Sequence, residues 1–425
     1  MSAVASLSKR EHLRMKLLVI SQYFWPENFI ISDFVRKLAE RGHEVVVATG
    51  KPNYPDGQVF PGYSAGGVAR ERFADQVDVV RVPIWPRGSG GAANLTMNYL
   101  SFVFFGLLCF PWLLRSRSFD AILVFAPSPI TQVIPAILLK QLKRAHLAVW
   151  VQDMWPESLA ATGFVRNARL LKAVGGLVRW IYARSDTLLL QSRAFEAPTG
   201  CYADPQKLVY FPNSVDSDLP AAVPDALPDA LSNLLAQNFC VVFAGNIGKA
   251  QSVETVVQAA LLLRDEPGIC LMLVGSGSML DWVQGQKAIL KLDNLALPGR
   301  FPAEYMPELF RKASALLVTL KSGGVLAHTV PSKIQAYLAA GRPIVAALQG
   351  EGGKVVEEAG AGMACEPENG QALADCIRRM HALPVSATAA MGQNGRAWFD
   401  GNFDMNRQVG RLVEILQARC SGSKG

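Results

Sequence analysis

FCVVFAGNIGKAQSVETVVQAALLLRDEPGICLMLVGSG, residues 239–277, decides the fold. Its first apolar run, 239–246, is too short for a helix and rich in β-branched and aromatic residues. The stretch 253–264 has helical spacing, and 269–277 is a second short apolar run. Strand, helix, strand with continuously apolar strands is the pattern of a parallel sheet buried on both faces. Further runs at 295–300, 315–320, 343–348 and 362–367 continue it. Upstream, strands are predicted at 16–24, 44–50, 77–82, 121–126, 147–153, 187–192 and 207–213, with a helix over 33–42. Between the two series LPAAVPDALPDALS (219–232) breaks the alternation with proline and alanine. The fold class is therefore α/β, with two parallel-sheet halves joined by a linker.

The length of 425 residues agrees, because one hydrophobic core rarely serves so long a chain. The expected order is a disordered extension over 1–14, an N-terminal domain over 15–215, a linker over 216–232 and a C-terminal domain over 233–400. A C-terminal helix over 401–420 then returns to the N-terminal domain. The polar start MSAVASLSKREHLR has no secretory pattern. Half the residues are hydrophobic, which excludes a disordered class. Seven scattered cysteines form neither a disulfide framework nor a CxxC knuckle, so reduced thiols in a cytosolic setting are expected. The net charge of +7 is uneven: residues 1–215 carry 24 Lys and Arg against 15 Asp and Glu, and 216–425 carry 18 against 20. No basic run is dense enough for nucleic acid, but an anionic membrane or a phosphorylated substrate suits the basic half.

NLTMNYLSFVFFGLLCFPWLLRSR (94–117) interrupts the first half. Its apolar stretch, Tyr99 to Leu114, is short for a span and contains Pro111. Aromatic residues and the flanking Arg115 and Arg117 suit a helix lying in a membrane interface, so 95–117 is expected there. The competing expectation is a fully buried helix.

Ligands of open α/β sheets sit at the carboxyl ends of the strands, so the loops there supply the candidates. On the first half these are SQYFWPENF (21–29), with Tyr23, Pro26, Glu27 and Asn28, and VQDMWPES (151–158), with Asp153 and Glu157. The two acids can orient a hydroxyl or steady positive charge at a sugar carbon, or merely cap a helix. On the second half, Gly245, Asn246 and Lys249 follow a strand. HTVPSKIQAYLAAG (328–341) opens a helix with Lys333 in its first turn, where Ser332 or Thr329 can cap and the helix dipole favours an anion. Glu351, Gly352 and Gly353 stand in GEGGK. Glycines let backbone N–H groups approach a phosphate, and lysines neutralise it. GSGSML (275–280) is a lone glycine-rich turn, DSD (216–218) reads as a surface turn, and the five histidines form no ligand cluster, so no metal is assigned.

Taken in order, RGHEVVVAT, VQDMWPES, FPNSVD, AGNIGKAQ, LVGSGS, PSKIQAYLAAGRPIVAA and GEGGKVVEEAGAG resemble the family 4 glycosyltransferases, over about Met15 to Leu416. Within them the chain is similar to the subgroup associated with transfer of L-fucosamine or related sugars in O-antigen and capsule assembly. The resemblance implies a GT-B fold, two Rossmann-like domains facing across a cleft, with a nucleoside-diphosphate sugar, UDP-linked, held mainly by the C-terminal half. It implies a retaining hexosyltransferase without metal or other cofactor. The acceptor would be a polyprenyl-diphosphate-linked saccharide, and the protein peripheral on the inner face of the cytoplasmic membrane, with no nucleic acid partner. In these terms Lys249, Asp153 and Glu157 are the catalytic candidates. Gly245, Asn246, Lys249, Ser332, Lys333, Glu351, Gly352 and Gly353 take the donor side, and Tyr23, Pro26, Glu27 and Asn28 the acceptor side. The chain departs from the family where Asn246 replaces an arginine and where His328 and Ala336 replace two glutamates, one of which contacts the ribose. Two other readings are a nucleotide-sugar epimerase of the same fold, and a membrane-associated scaffold without turnover.

Overall fold

The continuous apolar runs pair into two parallel sheets in the computed structural model, which describes residues 14–88, 91–161, 167–216 and 227–422. Contacts divide the chain into two units. The first takes residues up to 191, 195–213 and from 408 onward, and the second takes 192–194 and 214–407.

The first unit holds β1 (Lys16–Ile20), β2 (Glu44–Gly50), β3 (Ala69–Phe73), β4 (Val77–Val82), β5 (Ala121–Ala126), β6 (His146–Val151), β7 (Thr187–Leu190) and β8 (Leu208–Tyr210), in the spatial order β3-β4-β2-β1-β5-β6-β7-β8. Every residue of β5 and β6 is buried, which is why these strands read as unbroken apolar runs. The edge strand β3 was not expected. It is antiparallel to β4, and its sequence ARERF is charged, as an edge facing water permits. The second unit holds β9 (Phe239–Ala244), β10 (Ile269–Val274), β11 (Leu295–Gly299), β12 (Ala315–Thr319), β13 (Ile344–Ala347) and β14 (Gly362–Cys365), in the order β11-β10-β9-β12-β13-β14. Two apolar layers sandwich this sheet. Leu227 and Leu231 belong to one of them, so the stretch read as a linker ends before Leu227, and a helix starts at Asp229. The extension over 1–13 and residues 217–226 of the linker lie outside the described residues.

The final helix, Met405–Gly422, packs on the first unit. Arg411 and Arg419 donate to the carbonyls of Tyr210 and Gln206, at 2.8 and 3.0 Å.

The apolar segment forms a 22-residue helix, Ala92–Leu113, with Pro111 inside its last turn. One face, Asn98, Phe102, Gly106, Phe110 and Leu113, is buried. The opposite face leaves Phe104, Leu108 and Trp112 about 61–63% exposed, which overturns the expectation of full burial. At its carboxyl end Arg70 donates to the carbonyl of Leu113, and Lys143 to those of Leu114, Arg115 and Arg117, where cations complement the helix dipole.

Gly106 permits the contact with the helix Ile134–Lys143, because a Cβ there would lie 2.8 Å from Cγ of Pro135. Gly176, in the helix Ala168–Arg184, has no atom within 4 Å of such a position. Gly106→Leu should therefore destabilise by about 1–3 kcal/mol through overpacking, whereas Gly176→Ala should stabilise by up to about 1 kcal/mol through helix propensity. Denaturant midpoints read both; equal effects of the same sign would contradict the packing.

Candidate functional site

In the second unit the strand order reverses between β9 and β12, so crossovers leave these neighbours in opposite directions and a crevice opens at their carboxyl ends. The helix Ser332–Ala340 follows β12 and leans over the end of β9. Tyr337, buried in this helix, accepts the backbone N–H of Ala244 at 3.0 Å. One turn earlier, Lys333 lays its ammonium 3.5 Å from the centroid of the Phe243 ring. A Cβ on Gly245, whose φ is 135°, would come within 2.8 Å of the lysine's Cε. Only glycine accommodates both that backbone angle and that contact.

The Lys333 ammonium is buried and has no hydrogen-bond acceptor among the described residues. Burial lowers its pKa to about 8. Desolvating a cation without an anion is unfavourable, so the position favours an anionic ligand. The helix start adds to this, because Pro331 at its N-cap supplies no side-chain cap. The helix begins at Ser332, which is exposed and stands inside the first turn rather than at the cap.

Beside Gly245 lies a cavity of about 330 Å³ lined by Gly245, Asn246, Gly275, Ser276, Arg300, Phe301 and Met306. Backbone bonds lace the three strand ends around it: Gly245 N–H to Val274, Ile247 N–H to Ser276 and Gly275 N–H to Gly299, at 2.8–2.9 Å. Gly275 sits so close that a Cβ would lie 1.8 Å from the carbonyl oxygen of Gly245. The turn GSGS, set aside in the sequence as a lone glycine-rich motif, is thus part of the crevice wall. Arg300, Phe301 and Met306 were not anticipated either; the signal for Arg300 was its place at the end of a strand.

Lys249 begins a short 3-10 turn, Lys249–Gln251, and its side chain is exposed, without an ion pair among the described residues. Glu351 is buried at the start of the helix Glu351–Glu358. Gly352 and Gly353 have a packing role: a Cβ on Gly352 would meet Pro331 and Ile334 at 2.9 and 3.0 Å, and one on Gly353 the carbonyl oxygen of Leu348 at 3.1 Å. The two helix starts are thereby pressed together. His328 ends a 3-10 turn, Gly324–His328, and Ala336 packs on the apolar core.

The first unit has its own reversal, between β1 and β5. Buried amides line it. The Gln22 side chain donates to Asn98 at 2.7 Å, Gln132 accepts the Gln22 N–H at 2.9 Å, and Asn98 donates to the Trp85 carbonyl at 2.6 Å. Tyr23 is buried and stacks on Phe29, and Arg87 donates to its hydroxyl at 2.9 Å. Tyr99, from the apolar helix, is half-buried beside them, in electrostatic range of Arg87 and Asp153, and burial chiefly raises its pKa. Its place at the start of an apolar run hid these polar surroundings.

Asp153 turns one oxygen to the Met154 N–H and the Ser158 hydroxyl, the local capping considered as its alternative. Glu157 accepts from the Tyr202 hydroxyl at 3.1 Å. Pro26 is half-buried and Asn28 exposed. Glu27 points inward, 3% exposed, accepting the backbone N–H groups of Phe24, Asn53 and Tyr54 at 2.8–3.1 Å. It organises the loop rather than facing solvent.

Residues 29–214 match the family described as Glycosyl transferase 4-like domain, and residues 238–382 that described as Glycosyl transferases group 1. A putative colanic acid biosynthesis glycosyl transferase, WcaI of Escherichia coli (strain K12), is 28% identical over 410 residues, covering 88% of this chain and 94% of that protein. A probable glycosyltransferase, WbjE of Pseudomonas aeruginosa, is 26% identical over 301 residues, covering 68% and 74%. Among solved structures, Anabaena Alr3699/HepE in complex with UDP superposes with a TM-score of 0.65 at 16% identity, covering 95% of this chain and 100% of that one.

Burial raises the Glu27 carboxyl from the ordinary range to about 7, although three N–H bonds and Arg81 oppose the shift. The folded state then holds this proton to higher pH than the unfolded chain does. Its contribution to stability should fall as pH rises from about 4.5 to about 7. The stability difference between wild type and Glu27→Gln should change over that window; a difference flat in pH would contradict the assignment.

Proposed function

The chain belongs to the glycosyltransferases that join a 4-like domain to a group 1 domain, and from this premise we propose a retaining transfer of a sugar from a nucleoside diphosphate to a lipid-linked saccharide. The observation that carries the donor half is the buried, unpartnered ammonium of Lys333 at the strand-order reversal of the second unit. In this reading the diphosphate accepts from Lys333 and the backbone N–H groups at the start of its helix, with Lys249 closing over it from the turn after Gly245. The nucleoside occupies the cavity along Gly275, Ser276, Arg300 and Phe301. UDP is the proposed nucleotide, because the same fold holds UDP in Alr3699/HepE. Phe301 offers a ring for stacking on the base, in a site where His328 and Ala336 leave no carboxylate for the ribose.

The acceptor hydroxyl attacks the anomeric carbon on the face from which the nucleoside diphosphate leaves. The new carbon–oxygen bond forms as the bond to the leaving phosphate breaks, and the hydroxyl proton passes to that phosphate. Negative charge grows on the diphosphate in the transition state, so lysines held against it lower the barrier without a metal or other cofactor in this proposal. On the first unit, Tyr23, Tyr99, Arg87 and Asp153 form the acceptor side, with Glu157 and the 26–28 loop behind them. The colanic acid relative and the resemblance to the O-antigen and capsule subgroup support surface polysaccharide assembly as the setting, with an N-acetylated amino sugar such as N-acetyl-L-fucosamine as donor sugar.

A lipid-linked acceptor requires access to a membrane. The helix Ala92–Leu113 offers an exposed ridge of Phe104, Leu108 and Trp112 beside Arg115, a combination suited to an anionic interface. Cytoplasmic protein bound peripherally to the inner leaflet is the corresponding location.

Calorimetry with UDP tests the donor site. Binding should weaken as pH rises through about 8, where the Lys333 ammonium loses its proton. Lys333→Met should weaken it at least tenfold, about 1.4 kcal/mol or more, and remove that pH dependence; unchanged affinity would overturn the assignment. Flotation tests the membrane reading. The protein should rise with anionic vesicles at low salt, and Leu108→Glu with Trp112→Glu should leave it at the bottom; a wild type that never floats would refute it.

A further inference from the structure

The segment 83–87 runs beside the exposed side of the helix Ala92–Leu113 and is pinned to it. The Trp85 N–H donates to Ser101 at 2.8 Å, and Asn98 donates to the Trp85 carbonyl at 2.6 Å. With backbone groups satisfied inward, the outward side chains enclose an open groove of about 560 Å³, lined among others by Pro83, Ile84, Trp85, Met97, Leu100 and Phe104. The lining is almost wholly carbon, yet Trp85, Leu100 and Phe104 are each more than half exposed. A preformed apolar groove of this size lies within the ~300–1,000 Å³ range of small-ligand sites.

The polar crevice begins within a few residues of the groove on both walls. Two residues beyond Trp85, Arg87 lies over the Tyr54 ring at 5.1 Å and donates to Tyr23, and among the described residues no carboxylate forms an ion pair with it. Next to Leu100, Tyr99 is half-buried within electrostatic range of Arg87. Apolar walls leading to an uncompensated guanidinium match an amphiphile with a hydrocarbon chain and an anionic head. A flat bilayer surface fits Leu108 and Trp112, farther along the helix, better than it fits a concavity.

We propose that this groove seats the hydrocarbon chain of the acceptor, with the phosphate attached to that chain lying beside Arg87. This rests on the reading of the acceptor as lipid-linked, and it adds that the protein grips one lipid chain directly rather than only meeting the membrane.

Farnesyl diphosphate, kept below its micellar concentration and without vesicles, is a suitable probe in calorimetry. Wild type should bind it, and Leu100→Asp, Phe104→Asp and Arg87→Gln should each weaken binding at least tenfold while thermal melts show them folded. Leu108→Asp and Lys333→Met should bind as wild type, and excess inorganic diphosphate should displace little. The groove assignment is overturned if Leu100→Asp and Phe104→Asp bind normally, if inorganic diphosphate displaces the probe fully, or if Lys333→Met abolishes binding. It is overturned equally if sedimentation shows those two groove residues holding a dimer while probe binding is unchanged. Probe binding needs neither donor nor turnover. Intact binding without sugar transfer therefore faults the transferase reading alone, and transfer without groove-dependent binding faults the groove alone.

Discussion

Two adjacent parallel strands whose crossovers depart in opposite directions leave nothing to cover the gap between their carboxyl ends. That constraint acts twice in this chain, at β1 and β5 and again at β9 and β12. The sheets themselves are ordinary buried structures held by apolar burial. The reversals decide where polar side chains are gathered, Gln22 and Asn98 at the first, Asn246 and Lys333 at the second.

At the second reversal the decisive contact is between a glycine and a lysine. Gly245 lacks the Cβ that would strike the Lys333 side chain, so the lysine folds down over Phe243 and its ammonium leaves water. Cation–π attraction compensates part of the lost hydration, but the nitrogen keeps its hydrogen-bond capacity unused. The same strand end is bonded to Tyr337 and laced to β10 and β11, so its backbone groups are already paired around the lysine. Preorganised charge of this kind is where binding and catalytic stabilisation are largest.

At the first reversal one helix meets three surroundings. Phe102, Gly106 and Phe110 of Ala92–Leu113 pack inward, Asn98 feeds a polar network with Tyr99 half-buried beside it, and Leu100, Phe104, Leu108 and Trp112 remain outside. An apolar helix buried on one face only is poorly explained by the stability of the domain alone, because the exposed face gains nothing from water. Glu27 shows the opposite economy, a carboxylate taken inside to tie three backbone N–H groups of a loop together.

The alternation of apolar runs and helical spacing determined the two α/β halves, since buried parallel strands must be apolar on both faces and their crossovers must be helical. It also determined which loops lie at the carboxyl ends, and hence Gly245, Asn246, Lys333, Tyr23 and Asp153 as candidates. Edge strand β3 escaped because its charged sequence carries no such pattern, and Arg300 and Phe301 escaped because a cavity wall is assembled from strands distant in sequence. Only the tertiary structure decided that Lys333 lies buried without an acceptor among the described residues, that Gly352 lets two helix starts approach, that Glu27 faces inward and that Tyr99 sits half-buried among polar groups on an apolar helix. Period and composition report which face of an element is buried. What a side chain meets there depends on close approaches between segments far apart in sequence, 110 residues for Gln22 and Gln132 and 213 for Arg419 and Gln206, and those are set by packing.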